Sequence, residues 1–285
     1  LGDAIARATA VGLLGTGHIA AALVTGWCRA DDGPAEILVS PRNAGVAAEL
    51  ARAHRRVTVA ADNQAVLDQA ATIVLCVRPQ IAASVLEALT FSAEHRVLSV
   101  IATLGLERLQ PLIAPASAIA RAVPMPFAAQ RRGPLAVYPA PDWVTALLAP
   151  LGDVIAAPSA AAFDRFCGIT ATMAAFFRVL GGMSDWLIAG GVPAPLATRY
   201  VVGQIQALCA VPGDGAAPLD DGPQDRGAID FARLAERFAT RGGINQQVVE
   251  QLQAAGGFDL LPAALDAVLL RIEGRESLPP DAAAQ

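Results

Sequence analysis

The sequence predicts an α/β part followed by an all-helical part. Three observations carry this. Short apolar runs alternate with helix-like segments through the first half. A Gly-rich turn follows the first of these runs. From about Phe163 the apolar pattern lengthens into helical stretches. Strands alternating with helices of this length argue for a parallel sheet covered on both faces. At 285 residues and 54% hydrophobic, the chain has enough apolar side chain for a sizeable core.

In order, residues 11–14 read as a strand and 19–29 as a helix. Residues 37–40 form the next strand, followed by a helix over 44–54 and a short strand over 57–59. Residues 72–77 and 97–101 are buried strands, and 119–123 and 135–138 continue the series. The segment 172–189 carries Met173, Phe176, Phe177, Leu180, Met183, Trp186 and Leu187, a spread too broad for an ordinary surface helix. Helical pattern continues over 195–209, 229–238, 245–254 and 260–272. Gly, Pro and Asp make 212–226 a loop, in which Asp220 and Asp221 are expected to be solvated. The expected domains are 1–160, 161–275 and a disordered tail, 276–285, with disorder setting in from Gly274. The first ten residues read as a loose lead-in.

Net charge is −5 and no basic block occurs, which argues against nucleic acid as the main partner. All 21 Lys+Arg residues are arginine. No lysine can therefore form a Schiff base or act as a general acid. Cys28, Cys76, Cys167 and Cys209 are far apart, and only His18, His54 and His95 are histidines, so no metal motif is present. This cysteine usage fits a reducing cytoplasm. The uncharged stretch 8–28 raises the membrane question, but it splits into a strand, a Gly turn and a helix, and reads as soluble. No basic start with a small-residue cleavage site marks a signal peptide.

The stretch "VGLLGTGHIAAAL" places Gly15, Thr16, Gly17, His18, Ile19 and Ala20 after a strand and at the start of a helix. This is the G-x-G-x-x-G/A dinucleotide fingerprint of a Rossmann domain. Gly15 makes the tight turn, Gly17 lets the backbone approach a pyrophosphate, and Ala20 keeps helix and strand close. His18 contributes its backbone. The second strand ends in "VSPRN", with no acidic residue for ribose hydroxyls. Ser40, Arg42 and Asn43 stand there instead, and an arginine and a hydroxyl favour a 2′-phosphate, hence NADPH. A solvated arginine at a helix start is the plainer alternative.

Further motifs, in order, resemble pyrroline-5-carboxylate reductases over about residues 11–272. "GTGHIAAALVTGW" resembles the family's Gly-rich start, and "ADNQAV" its adenosine-side segment, which implies a cofactor contact by Asn63. "VLCVRPQ" looks like the family's "VKPQ" strand end, with Arg78 for lysine between Val77 and Pro79. "LSVIATLGLERL" matches the next strand and turn, which carries Ala102. "ARAVPMP" is similar to "RVMPN", "FDRFCGITATMAAFF" to the entry of the dimer helix, and "ATRGGINQQVVEQLQAAG" to the "SPGGTT" loop and helix.

The resemblance implies a helical domain that interlocks two subunits and NAD(P)H-dependent reduction of a cyclic imine, with the carboxylate of the substrate held on a Gly-Gly loop. Gly242 and Gly243 are then bare so that an anion can sit on the backbone before a helix N-terminus; a tight turn is the alternative. The substrate end departs from the family. "SGSGPA" appears as Thr170, Ala171, Thr172, Met173, Ala174, Ala175; "MPNTP" as Val123, Pro124, Met125, Pro126, Phe127; and the last threonine of "GGTT" falls on Asn245.

The expected catalytic residues are Asn245 and Thr172, and the expected substrate contacts Thr170, Met173, Gly242, Gly243 and Met125. Asn245 bonds the imine nitrogen or the carboxylate, or else caps its helix; the threonines bind substrate or cap. A buried Asp185 would be a proton donor, and Arg178 on the same face makes a polar stripe the competing reading. Arg121 reads as half of a structural ion pair and Tyr200 as core. The resulting expectation is a homodimeric NADPH-dependent reductase of a different imine, with the family's own proline-forming reaction and a non-catalytic NADP-binding protein as alternatives. A β-hydroxyacid dehydrogenase is discounted because that family needs a lysine in the long helix.

Overall fold

The computed structural model describes residues 10–210 and 230–275. Residues 1–9 of the lead-in, the whole Gly/Pro/Asp loop 212–226 with Asp220 and Asp221, and the 276–285 tail lie outside them. Residues cluster into two compact units, 1–170 with 269–285, and 171–268.

The first unit is built on one eight-stranded sheet, in the order β3-β2-β1-β4-β5-β6-β7-β8. The elements are β1 (Ala10–Leu14), α1 (His18–Arg29), β2 (Glu36–Val39), α2 (Ala44–Ala53), β3 (Val57–Val59), α3 (Asn63–Gln69) and β4 (Thr72–Leu75). They continue as α4 (Pro79–Leu86), β5 (Arg96–Ser99), α5 (Leu106–Leu109), β6 (Ala118–Val123), β7 (Pro134–Tyr138), α6 (Asp142–Leu148), β8 (Asp153–Ala156) and α7 (Ala160–Thr170).

Strands β1 to β6 pair in parallel. The β6–β7 pair is antiparallel and β7–β8 parallel. The expected all-parallel arrangement is thus corrected at one pair: β6 and β7 are joined by a short link and need no crossover helix. Strand β8 adds an edge strand beyond the series that the sequence predicts.

Both faces of the sheet are covered. On one, Leu13, Val39, Val74 and Leu98 pack with Leu23 and Trp27 of α1. On the other, Leu14, Leu38, Ile73 and Leu75 pack with Val66 of α3 and Leu86 of α4. Each fully buried side chain of this size contributes about 1.5–3 kcal/mol. Trp27 also satisfies its polar atom, donating from Nε1 to the Leu147 carbonyl at 2.8 Å.

The second unit comprises α8 (Thr172–Ala189), α9 (Ala194–Cys209), α10 (Phe231–Phe238), α11 (Ile244–Ala254) and most of α12 (Gly257–Ile272). Helices α8 and α9 form a hairpin, closed by the Val192 N–H donating to the Leu187 carbonyl at 3.1 Å. Asp230 caps α10, its Oδ1 accepting from the Arg233 N–H at 3.0 Å. No residue of α8 is buried, and Phe177 and Trp186 are 65% and 76% exposed. One expectation fails in this chain taken singly: Tyr200 is 69% exposed rather than core. Asp185 is exposed, as the polar-stripe reading has it.

The last helix ends at Ile272 as expected, but the described chain continues past Gly274, where disorder was expected to set in. Gly274 and Arg275 close α12, their N–H groups bonding the Arg271 and Leu270 carbonyls.

Candidate functional site

In the first unit the site grows out of a strand order that reverses beside β1. From β1 the chain winds outward through β2 and β3 and then crosses to β4 on the other side, so a crevice opens at the carboxyl ends of β1 and β4. Gly15 sits in that crevice at φ +95°, and a Cβ there would lie 2.7 Å from the Cys76 carbonyl oxygen beyond β4. Only glycine fits both the dihedral and the approach.

The turn is braced from β2. The Gly15 N–H donates to Ser40 Oγ at 2.8 Å, Thr16 Oγ1 to the Ser40 carbonyl at 3.4 Å, and Asn43 Nδ2 to the Thr16 carbonyl at 3.2 Å. Gly17 is the N-cap of α1 with no side-chain cap, and a Cβ on it would meet nothing within 4 Å. The bond from Ala21 N–H to the Gly17 carbonyl starts the helix, so the N–H groups of His18, Ile19 and Ala20 have no partner in the ladder. Open space beside a helix N-terminus suits a phosphate group.

Ser40 requires a correction. It has no solvent exposure and its Oγ is taken by Gly15. It shapes the turn and does not reach a phosphate. Arg42 is exposed and has no bonded partner among the described residues; Asn43 beside it is also exposed. Asn63 is half-buried at the start of α3, which Asp62 caps by accepting the Ala65 N–H at 2.8 Å. Val77 is half-buried, Arg78 is the exposed N-cap of α4 and Pro79 its first residue.

Ala102 is held from below. Arg121, 3% exposed on β6, donates from Nη2 to the Ala102 carbonyl and from Nη1 to Asp164 Oδ1 on α7, both at 2.8 Å. Its guanidinium carbon lies 4.5 Å from the centre of the Phe163 ring. Arg121 is thus the structural ion pair expected of it. Asp164 was not singled out from sequence; an arginine inside the apolar run "AIARAV" was the signal that a buried acid must exist.

Burial pushes the thiols of Cys76 and Cys167 up to about 12, with Arg121 lowering and Asp164 raising the latter. Both stay protonated and are poor nucleophiles. Among the described residues no cluster of three His, Cys, Asp or Glu suits a metal.

Met125 is half-buried ahead of the 3-10 turn Pro126–Gln130, and Phe127 in that turn is 40% exposed. Thr170 is half-buried and donates from Oγ1 to the Cys167 carbonyl at 2.7 Å, a bond back into its own helix.

In the second unit Thr172 and Met173 are half-buried in the first turn of α8. The Gly-Gly loop differs from its expectation. Gly242 has φ +74°, but its N–H donates to Gln246 Oε1 at 2.7 Å, and the Gly243 N–H donates to the Thr240 carbonyl at 2.8 Å. Neither is bare. The N-cap of α11 is Gly243, not Asn245, whose Nδ2 donates to the Phe238 carbonyl at 3.0 Å. The ladder of α11 begins with Gln247 N–H to the Gly243 carbonyl. The N–H groups left for an anion are those of Ile244, Asn245 and Gln246.

Residues 10–103 match the family model described as NADP oxidoreductase, coenzyme F420-dependent. No curated protein matches the chain by sequence. Among solved structures, 1-pyrroline-5-carboxylate reductase from Streptococcus pyogenes superposes with a TM-score of 0.78 at 20% identity, over 94% of this chain and 99% of that one. Pyrroline carboxylate reductase from Plasmodium falciparum, solved with NADP bound, gives 0.76 at 16%, over 95% and 99%. A reductive aminase from Aspergillus terreus, solved with NADPH and ethyl-5-oxohexanoate, gives 0.57 at 18%, over 94% and 92%. The chain therefore has the pyrroline-5-carboxylate reductase fold: a Rossmann sheet that begins in the NADP-oxidoreductase segment, followed by a helical region.

Proposed function

We propose that this protein is an NADPH-dependent reductase of a C=N bond, acting on a small, cyclic imine and releasing a secondary amine. The carrying observation is the Gly15–Gly17 turn. It is braced by Ser40 and Asn43, open at Gly17, and flanked by an unpaired Arg42 with no acid at that strand end. Relatives of the same fold solved with NADP or NADPH support the cofactor.

The cofactor, when bound, supplies the hydride, and the chain has to hold and orient the reactants and exclude water. The N–H groups of the first turn of α1 take the pyrophosphate, and Arg42 with Asn43 takes the 2′-phosphate. Asn63, Val77, Arg78, Pro79 and Ala102 complete the cofactor set, with Ala102 fixed by Arg121. For the substrate we assign Met125, Thr170, Thr172, Met173 and the 242–245 loop. A substrate carboxylate would bond the N–H groups of Ile244 to Gln246. Asn245 keeps Oδ1 and one amide hydrogen for the imine nitrogen or that carboxylate.

A non-catalytic NADP-binding protein is the second reading, favoured by one observation: the Gly242 and Gly243 N–H groups are already bonded within the chain. NADPH oxidation against cyclic imines with and without a carboxylate separates the two. Imine-dependent turnover supports the reductase; NADPH binding without turnover supports the second reading. Preference for pyrroline-5-carboxylate itself would identify the proline-forming reaction.

We further propose a homodimer. The run Ala160–Ala189 has a mean hydropathy of 1.4 and is long and apolar enough to cross a membrane by length and composition. The exposure of Phe177 and Trp186 in a single chain, 65% and 76%, supports reading its exposed half as a subunit interface, of obligate size, above roughly 2,000 Å². A monomer in ultracentrifugation at micromolar concentration would contradict this. The four free cysteines accord with a reducing cytoplasm.

A further inference from the structure

We infer that the first unit carries a second anion site, distinct from the Gly15–Gly17 turn, formed by Arg108 of α5 and Arg271 in the last turn of α12. It takes a small oxyanion, a phosphate group or a carboxylate.

Both arginines line one cavity of about 300 Å³, together with Gln80, Thr103, Leu104, Gly274 and Pro79, the last also a member of the proposed cofactor set, so the cavity adjoins that set. All of these residues belong to the same compact unit. No acidic side chain lines that cavity. Among the described residues neither Arg108 nor Arg271 has an ion pair, although the chain carries a net charge of −5.

The adjoining cavity of about 430 Å³ shares Thr103 and Arg108 and contains three acids, Glu107, Asp164 and Glu273. Asp164 is held by Arg121 at 2.8 Å, and Glu273 by Arg275 at 3.2 Å. Two of the three acids are therefore already paired with arginines other than Arg108 and Arg271. Arg121 lines this second cavity while 3% exposed, and its Nε has no partner. The cationic character therefore belongs to the 300 Å³ cavity, with two arginines and no acid.

The Arg108 guanidinium lies against the backbone at Gly274. A Cβ on Gly274 would lie 3.2 Å from Arg108 Nη1, at φ +71°. The glycine that closes α12 thus leaves room for the guanidinium against the chain. Two planar guanidinium forks with a hydroxyl and an amide nearby offer many donors and one acceptor partner class: an oxygen-rich anion. A cavity of this size accepts a ligand of a few heavy atoms.

The test is calorimetric titration of the full chain, saturated with NADPH, with inorganic phosphate and separately with succinate. Saturation keeps phosphate out of the cofactor site. The expected result is one saturable site per chain for at least one of the two anions, weakened roughly ten-fold in Arg108→Gln and in Arg271→Gln. The anion that binds more tightly identifies the ligand class. Both side chains are exposed and lie on different elements, so each variant checks the other if one fails to fold. If NADPH itself fails to bind, the cofactor reading falls, and the same titration on the Arg42→Ala chain still tests this site. Absence of saturable binding of either anion, or binding unchanged in both variants, overturns the inference.

Discussion

Two glycine pairs precede helices in this molecule, Gly15 with Gly17 and Gly242 with Gly243, and they are opposites in their bonding. At the first, a neighbouring strand supplies the acceptors: Ser40 takes the Gly15 N–H, and Gly17 is left facing open space. At the second, the loop satisfies itself through Gln246 and Thr240. Both read alike as sequence, a bare backbone before a helix. The difference lies in who accepts the hydrogen bonds, and that is a property of tertiary neighbours. The first pair is a prepared cradle; the second is a closed turn whose free donors start one residue later, at Ile244.

The largest expected effect probes the support beneath the first cradle. Arg121→Met leaves Asp164 without its partner and frees the Ala102 carbonyl. We expect a loss of about 3–5 kcal/mol in urea unfolding. The double change Arg121→Met, Asp164→Leu should recover most of it. A loss under about 1 kcal/mol would mean that the pair does not hold the Ala102 loop.

Next comes a matched pair of substitutions. Gly15→Ala meets both a positive φ and the Cys76 carbonyl, costing about 1–3 kcal/mol and most of the NADPH affinity. Gly242→Ala meets the positive φ alone, with nothing within 4 Å, and should cost about 1 kcal/mol while NADPH affinity holds. Equal effects on NADPH binding would erase the contrast between the two turns. Gly243 is less useful as a probe, because a Cβ there would lie 2.9 Å from the Thr240 carbonyl and disturb the turn itself.

Arg42→Asp tests the exposed end of the cradle. Removing a charged bond to the 2′-phosphate should weaken NADPH by about 1.5–3 kcal/mol, roughly ten- to hundred-fold, and narrow or reverse the preference over NADH. Comparable NADPH and NADH affinities in the unaltered protein would remove Arg42 from the cofactor set. The smallest effect is at Asn245→Ala. Loss of the bond to the Phe238 carbonyl should cost about 0.5–1.5 kcal/mol, seen as faster amide exchange at the start of α11. Unchanged exchange would show that this bond contributes nothing to the loop.

Most of the sheet was legible in the sequence because its signals are local. Apolar runs such as "TIVL" and the Gly turn of "LLGTGHIA" declare themselves within a few residues. Strand direction is not local, which is why the antiparallel β6–β7 pair escaped. Strand β8, Asp153 to Ala156, carries the short apolar run Val154-Ile155-Ala156, as marked as that of β5, and escaped because it follows the Pro-Leu-Gly turn at 150–152 within two residues. The site was legible to the extent that backbone motifs define it. Ser40 was read as reaching outward, because sequence does not reveal that its hydroxyl is turned onto a residue 25 positions away. The Arg121–Asp164 pair spans 43 positions, and Asp164 has no local pattern. Helix α8 carries apolar residues around most of its circumference and none of them is buried among the described residues; the exposure of Tyr200, expected in the core, follows from the same uncovered helical surface, while exposed Asp185 fits the polar stripe that its spacing from Arg178 suggests.

The most direct test of the account is NADPH oxidation by the unaltered full-length protein in the presence of cyclic imines, with the amine product measured in parallel. The account predicts saturable, imine-dependent oxidation that yields one secondary amine per NADPH, with NADH poorer by roughly ten-fold or more. NADPH bound tightly, yet not oxidised with any imine, carboxylated or not, would contradict it.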